Sequence, residues 1–574
     1  MSSYSKDIFA TLHSIGASLT LTDKVKAFEK ITRLKGSRMD TENLRLEEAI
    51  CKAIADRLDS LSHLTKEDLN KIKVEAVREF QAKAIPKNSK IIRFLAPGTR
   101  ERLLPFLKLK PVRSISGVSV LTVMVKPYPC PHGRCTYCPG GPQTGTPSAY
   151  TGKEPASARA LQCNYDPYEQ VKTRIKQLRE IGHEVDKVEL IIFGGTLTSY
   201  PKDYLRWFIT SCLNAISGAE ALTLEDAQAV AENAQIRVSD IAMETRPDWC
   251  KEPHVDLMLE LGATRVELGV QTVYDDIYEL VNRGHTVNDV VNATRIAKDA
   301  GFSVVFHCMP NLPGSDYERD LDAFKKIFTD EQFMPDAIKI YPTLVLEGTK
   351  LYEMWRQGEY KPYPFEQIVE LIAEVKKLAP PWVRIQRIQR DIPADLIVGG
   401  IRRGDLRALV HERLRLEGAR CRCIRCREVG HVWYKQNVTP NPAEIKPLIR
   451  RYHASNGEEL FLSFEDVKND ILIGLIRLRE PSGKAHRREV CAARSMLVRE
   501  LHVYGPLVKV GSKAKNGEWQ HQGWGERLIG EAERISREEF DANKIIVLAG
   551  IGTRNYYRRF GYEKEGPYMV KRLG

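Results

Sequence analysis

Between about residue 115 and residue 400, apolar β-branched runs alternate with stretches whose apolar residues recur at helical spacing. The strand-like runs are Val118–Val125, Val188–Phe193, Ile236–Met243, Arg265–Val270, Ser303–Cys308 and Ala337–Tyr341; Tyr168–Ile181 and Val287–Ala300 are typical of the helical stretches. Parallel strands need crossover connections, so this alternation predicts an α/β fold: a parallel sheet covered by helices, closed into a full or partial (β/α) barrel. In such folds ligand sites gather at the C-terminal ends of the strands. Residues 1 to about 95 are predicted helical, with periodic segments at Asp40–Asp59 and Lys66–Lys83. From about residue 455 the pattern turns antiparallel, with strands at Leu460–Phe464, Ile471–Arg479, Ala492–Val498, Leu501–Val510 and Ile545–Leu548 around one helix, Gly525–Phe540. The predicted parts are a helical basic region (1–95), the barrel (96–400), an Arg- and Cys-rich linker (401–454) and a small α/β domain (455–574).

A chain of 574 residues exceeds a single core. It holds no apolar run of about 18 residues, so no membrane span is expected. Its first residues lack the basic-then-apolar order of a secretion signal, which predicts a cytoplasmic protein. The net charge of +12 changes the picture more, because it favours a polyanionic partner, nucleic acid above all. Lys83, Lys87, Lys90 and Arg93, and further on Arg384, Arg387, Arg390, Arg402 and Arg403, are the candidate phosphate contacts.

Six of the 12 cysteines fall in two tight groups. The first, Cys130-Pro-His-Gly-Arg-Cys135-Thr-Tyr-Cys138, directly follows the first barrel strand. Three thiolates on one loop can hold three irons of a 4Fe–4S cluster and leave the fourth open to a ligand. Zinc, with His132 as fourth donor, is the competing assignment. Later strands end in Gly194-Gly195-Thr196, in Glu244 and Arg246, and in Gln271, where glycines admit close backbone approach and polar groups can hold a ligand.

A three-cysteine loop after the first strand and a glycine pair after the second resemble the radical S-adenosylmethionine superfamily over about residues 115–395. Four residues rather than the commoner three separate the first two cysteines. The resemblance implies a 4Fe–4S cluster whose open iron binds S-adenosylmethionine, with Gly194, Gly195, Thr196, Glu244, Arg246 and Gln271 as candidate contacts, and an external electron donor.

Gln520-His-Gln-Gly523-Trp524-Gly525 lies between a predicted strand and a predicted helix. Backbone N–H groups at a helix start suit a pyrophosphate. With Gly552-Thr-Arg-Asn-Tyr556-Tyr557 this segment resembles the acyl-CoA site of the GCN5-related N-acetyltransferase family, and implies acetyl-CoA binding. Core packing is the alternative for Tyr556 and Tyr557. Glu500 and His502 are candidate bases. The second cysteine group, Cys421-Arg-Cys423-Ile-Arg-Cys426, suits a structural zinc site stapling the linker, with His411 or His431 as fourth ligand; a second iron–sulfur cluster is the rival.

Tyr150-Thr-Gly-Lys-Glu-Pro155, Asp186-Lys187-Val-Glu, Glu244-Thr-Arg-Pro-Asp248, Gln389-Arg-Asp-Ile-Pro393 and Glu500-Leu-His-Val-Tyr504-Gly are similar to the Elongator protein 3 family from about residue 90 to the end. The basic N-terminus and intact Cys-x-Cys-x-x-Cys look most like its archaeal and bacterial single-chain members, which implies no accessory subunits. The resemblance implies modification of the wobble uridine in the tRNA anticodon stem-loop. A radical formed from S-adenosylmethionine takes hydrogen from the acetyl methyl group, and the carbon radical adds to carbon 5 of the uracil to leave a carboxymethyl group. It carries acetyl-CoA contacts over to Lys187, Leu501, His502, Val503, Tyr504, Trp524, Gly525, Glu526 and Tyr557, beside Gln520, Gly523 and Tyr556 of the motifs above. The rivals are a protein lysine acetyltransferase with a merely structural cluster, and a non-catalytic RNA-binding scaffold. A cleft shared by the radical and acyl sites is expected.

Overall fold

The computed structural model describes residues 43–61, 64–508 and 518–573, so the helical expectation for residues 1–42 lies outside them. The described chain divides into two units. One contains residues up to Leu109 with Glu180–Gly182, the other Lys110–Arg179 and His183 onward. In the first, helices α1 (43–59), α2 (Lys66–Glu79) and α3 (Pro97–Leu107) bury Ile54, Leu58, Leu69 and Leu103 in one core. Thr65 and Asp68 form a capping box at the start of α2. That helix stops short of the predicted Lys83, and Gln81 beyond its end takes a left-handed φ of 50°.

The second unit holds two seven-stranded sheets. The barrel sheet consists of β1 (Ser119–Met124), β2 (Lys187–Phe193), β3 (Arg237–Thr245), β4 (Arg265–Gln271), β5 (Ser303–Cys308), β6 (Ala337–Ile340) and β7 (Arg384–Arg387), in sequential order and all parallel. It is a half-barrel, as the strand–helix alternation predicts. The run Arg-Ile-Gln-Arg of β7 has no strand-like apolar pattern and went unpredicted.

The second sheet contains β8 (Ile445–Ala454), β9 (Gly457–Asp466), β10 (Ile471–Glu480), β11 (Ser495–Val503), β12 (Lys544–Val547), β13 (Glu563–Glu565) and β14 (Tyr568–Arg572), in the order β8-β9-β10-β11-β12-β14-β13. Only β11 and β12 are parallel within it. Helix α4 (Trp524–Glu538) packs on it through Leu528, Ile529, Ala532 and Ile535. Two expectations need correction. Ala492–Val498 and Leu501–Val510 are not two strands: Ser495–Val503 is one, with a register shift opposite Arg477/Leu478 absorbing the irregularity. The boundary at 454/455 cuts a hairpin, because Ile445–Ala454 pairs with β9 along its whole length; its lysine and arginines and Pro447 hide it from an apolar pattern.

The second sheet packs across the N-terminal ends of the barrel strands. A Cβ on Gly550 would lie 2.1 Å from the Ser239 carbonyl, and one on Gly552 would lie 2.5 Å from the Val238 amide, so both positions admit only glycine. Buried charges join the sheets. Arg499 of β11 holds Asp336, just before β6, at 2.7 and 2.8 Å and Glu459 at 2.6 Å; Arg479 holds Asp299 at 2.7 Å.

Candidate active site

The loop after β1 carries Cys130, Cys135 and Cys138. Cys130 Sγ lies 3.2 Å from Ser148 Oγ and 3.8 Å from Thr196 Oγ1, and Cys138 Sγ accepts from the Ala149 amide at 3.2 Å. A turn at 281–285 clamps this loop. Val281 O accepts from the Thr136 amide at 3.0 Å, Asn282 Nδ2 donates to Arg134 O at 2.9 Å, and Arg283 Nη1 approaches Cys135 Sγ at 3.5 Å. Gly284 is required there, since a Cβ would sit 2.7 Å from that of His132. No carboxylate pairs with the buried Arg283 among the described residues; it donates to Gly269 O and faces the Cys135 sulfur. Burial, with Arg246 and Arg283 adding to it, pushes His132 down to about 3, so its imidazole is neutral.

Whether these residues suit a cluster or one ion is answered by spacing. Sulfurs around a single tetrahedral zinc lie about 3.8 Å apart. Among the described residues, only Cys421, Cys423 and Cys426 form a metal-ligating group within 4.8 Å. Cys130, Cys135 and Cys138 stand wider, as a body larger than one ion requires, and their loop fits a 4Fe–4S cluster. Beside them, Glu244 Oε2 accepts from the Gly194 and Gly195 amides at 3.4 Å and from Tyr150 Oη at 3.2 Å. Gln271, at φ 75°, has an Oε1 with no partner among the described residues. Arg246 departs from the ligand-contact expectation: it is bound bidentately to Asp248 at 2.8 and 2.9 Å and donates to Arg283 O at 2.7 Å, which makes it a brace for the turn.

Lys187, Leu501–Tyr504, Gln520, Gly523–Glu526, Tyr556 and Tyr557 come together at the other end of the strands. Gln520 Oε1 accepts from Lys187 Nζ at 2.6 Å and its Nε2 donates to Val503 O at 3.0 Å. Gly523, at φ 83°, caps α4, and Trp524 Nε1 has no partner among the described residues. Gly525 leaves room for Tyr556, whose hydroxyl would lie 2.5 Å from a Cβ there; Tyr557 is buried in the core. Both candidate bases are engaged. Glu500 holds Arg477 at 2.7 Å, and His502 Nε2 lies 2.8 Å from Ser116 O.

Burial pushes Lys187 down to about 8, against the pull of Asp186. The unfolded lysine keeps its proton to about 10.4, so this burial costs stability in full below about pH 8, and the cost is relieved as pH rises from about 8 to about 10.4. The cation itself is lost above pH 8. Affinity for an anionic acyl-CoA is therefore expected to fall as pH rises through about 8, and calorimetric titration of Lys187→Met should show no such inflection.

One cavity of about 1730 Å³ is lined by residues of both sites. That exceeds the roughly 300–1,000 Å³ of ordinary ligand pockets and gives room for two ligands. It follows the half-barrel lumen, where Lys187, Glu189, Ile191 and Phe193, alternate residues of β2, all face it. The lysine lies at the N-terminal strand end and Gly195 at the other, so the ligand sites do not all gather at the C-terminal ends as expected.

In the linker, His411 Nε2 lies 3.9 Å from Cys426 Sγ, whereas His431 Nε2 turns to Glu428 Oε1 at 3.1 Å. Of the two fourth-donor candidates His411 is the one that approaches a sulfur, though only the three cysteines lie within 4.8 Å of one another. The buried Lys376 amine donates to Cys426 Sγ at 3.5 Å.

Among the expected phosphate contacts, Lys83, Lys87, Arg387, Arg402 and Arg403 are exposed. Lys90 pairs with Glu47 and Arg93 with Glu180. Arg384 and Arg390 need correction. Arg384 pairs with the buried Glu428, and Arg390 donates to Ala149 O at 2.6 Å over the Tyr150 and Tyr341 rings, so neither guanidinium is presented to a phosphate. Arg113, Arg159 and Arg174, which no motif marks, line the same cavity; burial, then Arg113 and Arg159, pushes Arg174 down to about 10. Mutual repulsion of this kind is relieved by an anion.

A parallel half-barrel with a three-cysteine loop at the end of its first strand defines a radical S-adenosylmethionine protein, and residues 125–327 match the radical SAM superfamily model. Residues 335–415 match the radical SAM C-terminal domain and 47–115 the ELP3 N-terminal domain. The tRNA uridine(34) acetyltransferase of Methanocaldococcus jannaschii is 49% identical over 536 residues, 93% of this chain and 99% of that one. Elongator complex protein 3 of Saccharomyces cerevisiae is 46% identical over 527 residues, 90% of this chain and 94% of that one. The solved structure of archaeal Methanocaldococcus infernus Elp3 with N-terminus deletion (1–46) superposes with a TM-score of 0.72 at 48% identity, covering 80% of this chain and 100% of that one. The chain belongs to the Elongator protein 3 family. No described helix is long and apolar enough to cross a membrane.

Proposed function

We propose that this chain modifies carbon 5 of the wobble uridine of tRNA, using acetyl-CoA as the carbon source and radical chemistry to activate it. The observation that carries this is the single cavity lined both by the cysteine loop and by the loop at the start of α4. An acetyltransferase alone has no use for the first, and a radical enzyme acting on tRNA alone has none for the second.

Cys130, Cys135 and Cys138 would hold the cluster, with Gly194, Gly195, Thr196, Glu244 and Gln271 around its ligand. When bound and reduced by an external donor, the cluster and S-adenosylmethionine supply a 5′-deoxyadenosyl radical, a tool suited to a methyl C–H that is too weak an acid for ionic removal. Arg283 offsets negative charge at the loop, and the buried walls exclude water. The second sheet is a GCN5-related acyltransferase domain in this scheme: the Gly523–Gly525 amides bind the CoA pyrophosphate, and the amine of Lys187 lies near it. Cys421, Cys423, Cys426 and His411 would bind a zinc ion that fixes the linker between the sheets. Arg113, Arg174, Arg387 and Arg402 would take phosphates of the anticodon stem-loop, contacts that position without reading sequence and weaken with salt.

The test is nucleoside mass spectrometry of tRNA after anaerobic incubation of the iron-reconstituted chain with S-adenosylmethionine, acetyl-CoA and dithionite. A carboxymethyl group on uridine 34 is expected. Unmodified tRNA beside an acetylated lysine peptide would put a protein acetyltransferase in its place.

A further inference from the structure

We infer that the half-barrel lumen is the passage through which the acyl-bearing arm of the thioester reaches the cysteine-loop end; this rests on the function proposed above. Two groups that must meet in one reaction lie at opposite ends of the same strands. Lys187, against Gln520, opens β2, and Gly194-Gly195, against Glu244, follows its end. Seven residues of strand separate these ends by about 20 Å. The second sheet closes off the N-terminal strand ends, so the direct line between the sites runs inside the barrel rather than around it.

The lumen is built to hold a polar chain. Most inward positions of an ordinary barrel carry packed apolar side chains. Here Arg265 bridges Glu189 and Asp240, and one level higher Glu267 binds His307 at 2.9 Å and Lys339. Glu189, Asp240, Arg265, His307 and Lys339 of this girdle line the cavity, and Arg265 Nε and Glu267 Oε1 face each other at 3.9 Å. The two amides and hydroxyl of a pantetheine arm can hydrogen-bond to a wall lined with such groups.

The lengths agree. From the pyrophosphate to the acetyl methyl is about fourteen bonds, nearly five residues of extended backbone or roughly 16 Å. An arm anchored at the start of α4 thus carries its acetyl group past Ile191, toward Phe193, Glu244 and His307. The few ångström left of the roughly 20 Å strand length fall to the ligand held at the cysteine loop.

Val120 tests the passage. It lines the cavity beside Glu189 in register and is only half-buried, so a larger side chain there grows into the lumen. Val120→Trp is expected to keep acetyl-CoA affinity within twofold and to keep uncoupled S-adenosylmethionine cleavage, while tRNA carboxymethylation falls at least a hundredfold; Val120→Ala should leave all three unchanged. Wild-type carboxymethylation by Val120→Trp would overturn the inference. A second measurement covers a tryptophan variant that fails to fold. In Val120→Cys, alkylation of that one cysteine, followed by peptide mass, should slow at least tenfold with saturating acetyl-CoA but not with adenosine 3′,5′-bisphosphate, which lacks the arm. Equal rates with both would overturn it. Wild-type chain that neither binds acetyl-CoA nor modifies tRNA would instead remove the proposed function beneath it.

Discussion

Cys135→Ser is expected to reduce S-adenosylmethionine cleavage by the reconstituted chain to the no-enzyme background, with tRNA affinity largely unchanged. The sulfur is buried, lies 3.1 Å from His132 Nε2 and is the one faced by Arg283. A serine hydroxyl is a poor iron ligand at neutral pH, so a three-cysteine site left with two loses its hold on the cluster. The arginines assigned to tRNA phosphates lie on other elements, and such contacts act through charge rather than through a metal. Cleavage is read as 5′-deoxyadenosine by chromatography and affinity by filter binding at fixed salt. Equal loss of both would mean that the loop organises the tRNA surface as well.

Arg499→Met is expected to destabilise the chain by about 3 kcal/mol, because it removes the cation shared by two buried carboxylates and leaves them only Arg477, Arg479 and Lys298. Arg499 is wholly buried between Asp336 and Glu459. The midpoint of denaturant unfolding reads the loss, and Arg403→Met, which breaks an exposed pair with Asp405, should move it little. Stability should also fall in acid. Despite burial, Arg499 holds Asp336 and Glu459 below the usual carboxylate range. Their contribution is therefore present above about pH 4 and is lost as pH drops further. An unchanged midpoint in Arg499→Met would show that the two sheets are joined by apolar contact alone.

The barrel was legible because both faces of its strands are covered, so Val188–Phe193 and Ser303–Cys308 stand out as mostly apolar runs, with Glu189, Ser303 and His307 as the polar exceptions. Most strands that escaped prediction are polar, as in Arg384–Arg387, Glu563–Glu565 and Ile445–Ala454 with its lysine, arginines and Pro447; Tyr568–Arg572 escaped because only three of its residues are apolar. Among site residues, the cysteines and glycines could be found because their chemistry is local and their spacing short. Arg283 could not, since only the fold brings it beside Cys135, and nothing in Asn282-Arg283-Gly284 marks its target. The buried arginines of β10 and β11 were equally hidden, because an arginine in a strand normally marks a solvent face. Arg384 and Arg390 illustrate the converse: charge in the sequence does not tell a phosphate contact from an internal ion pair. Least visible was the placement of the two ligand sites at opposite strand ends, which depends on how one sheet docks on the other.

The central claim is that the acetyl group and the radical meet inside one chain. It is tested most directly by supplying acetyl-CoA deuterated in the acetyl methyl group, with tRNA, S-adenosylmethionine and dithionite, and weighing the 5′-deoxyadenosine formed. Deuterium in that product is the expected result. Product of unlabelled mass, formed while tRNA is still being modified, would contradict the claim and mean that hydrogen is taken from somewhere other than the acetyl group.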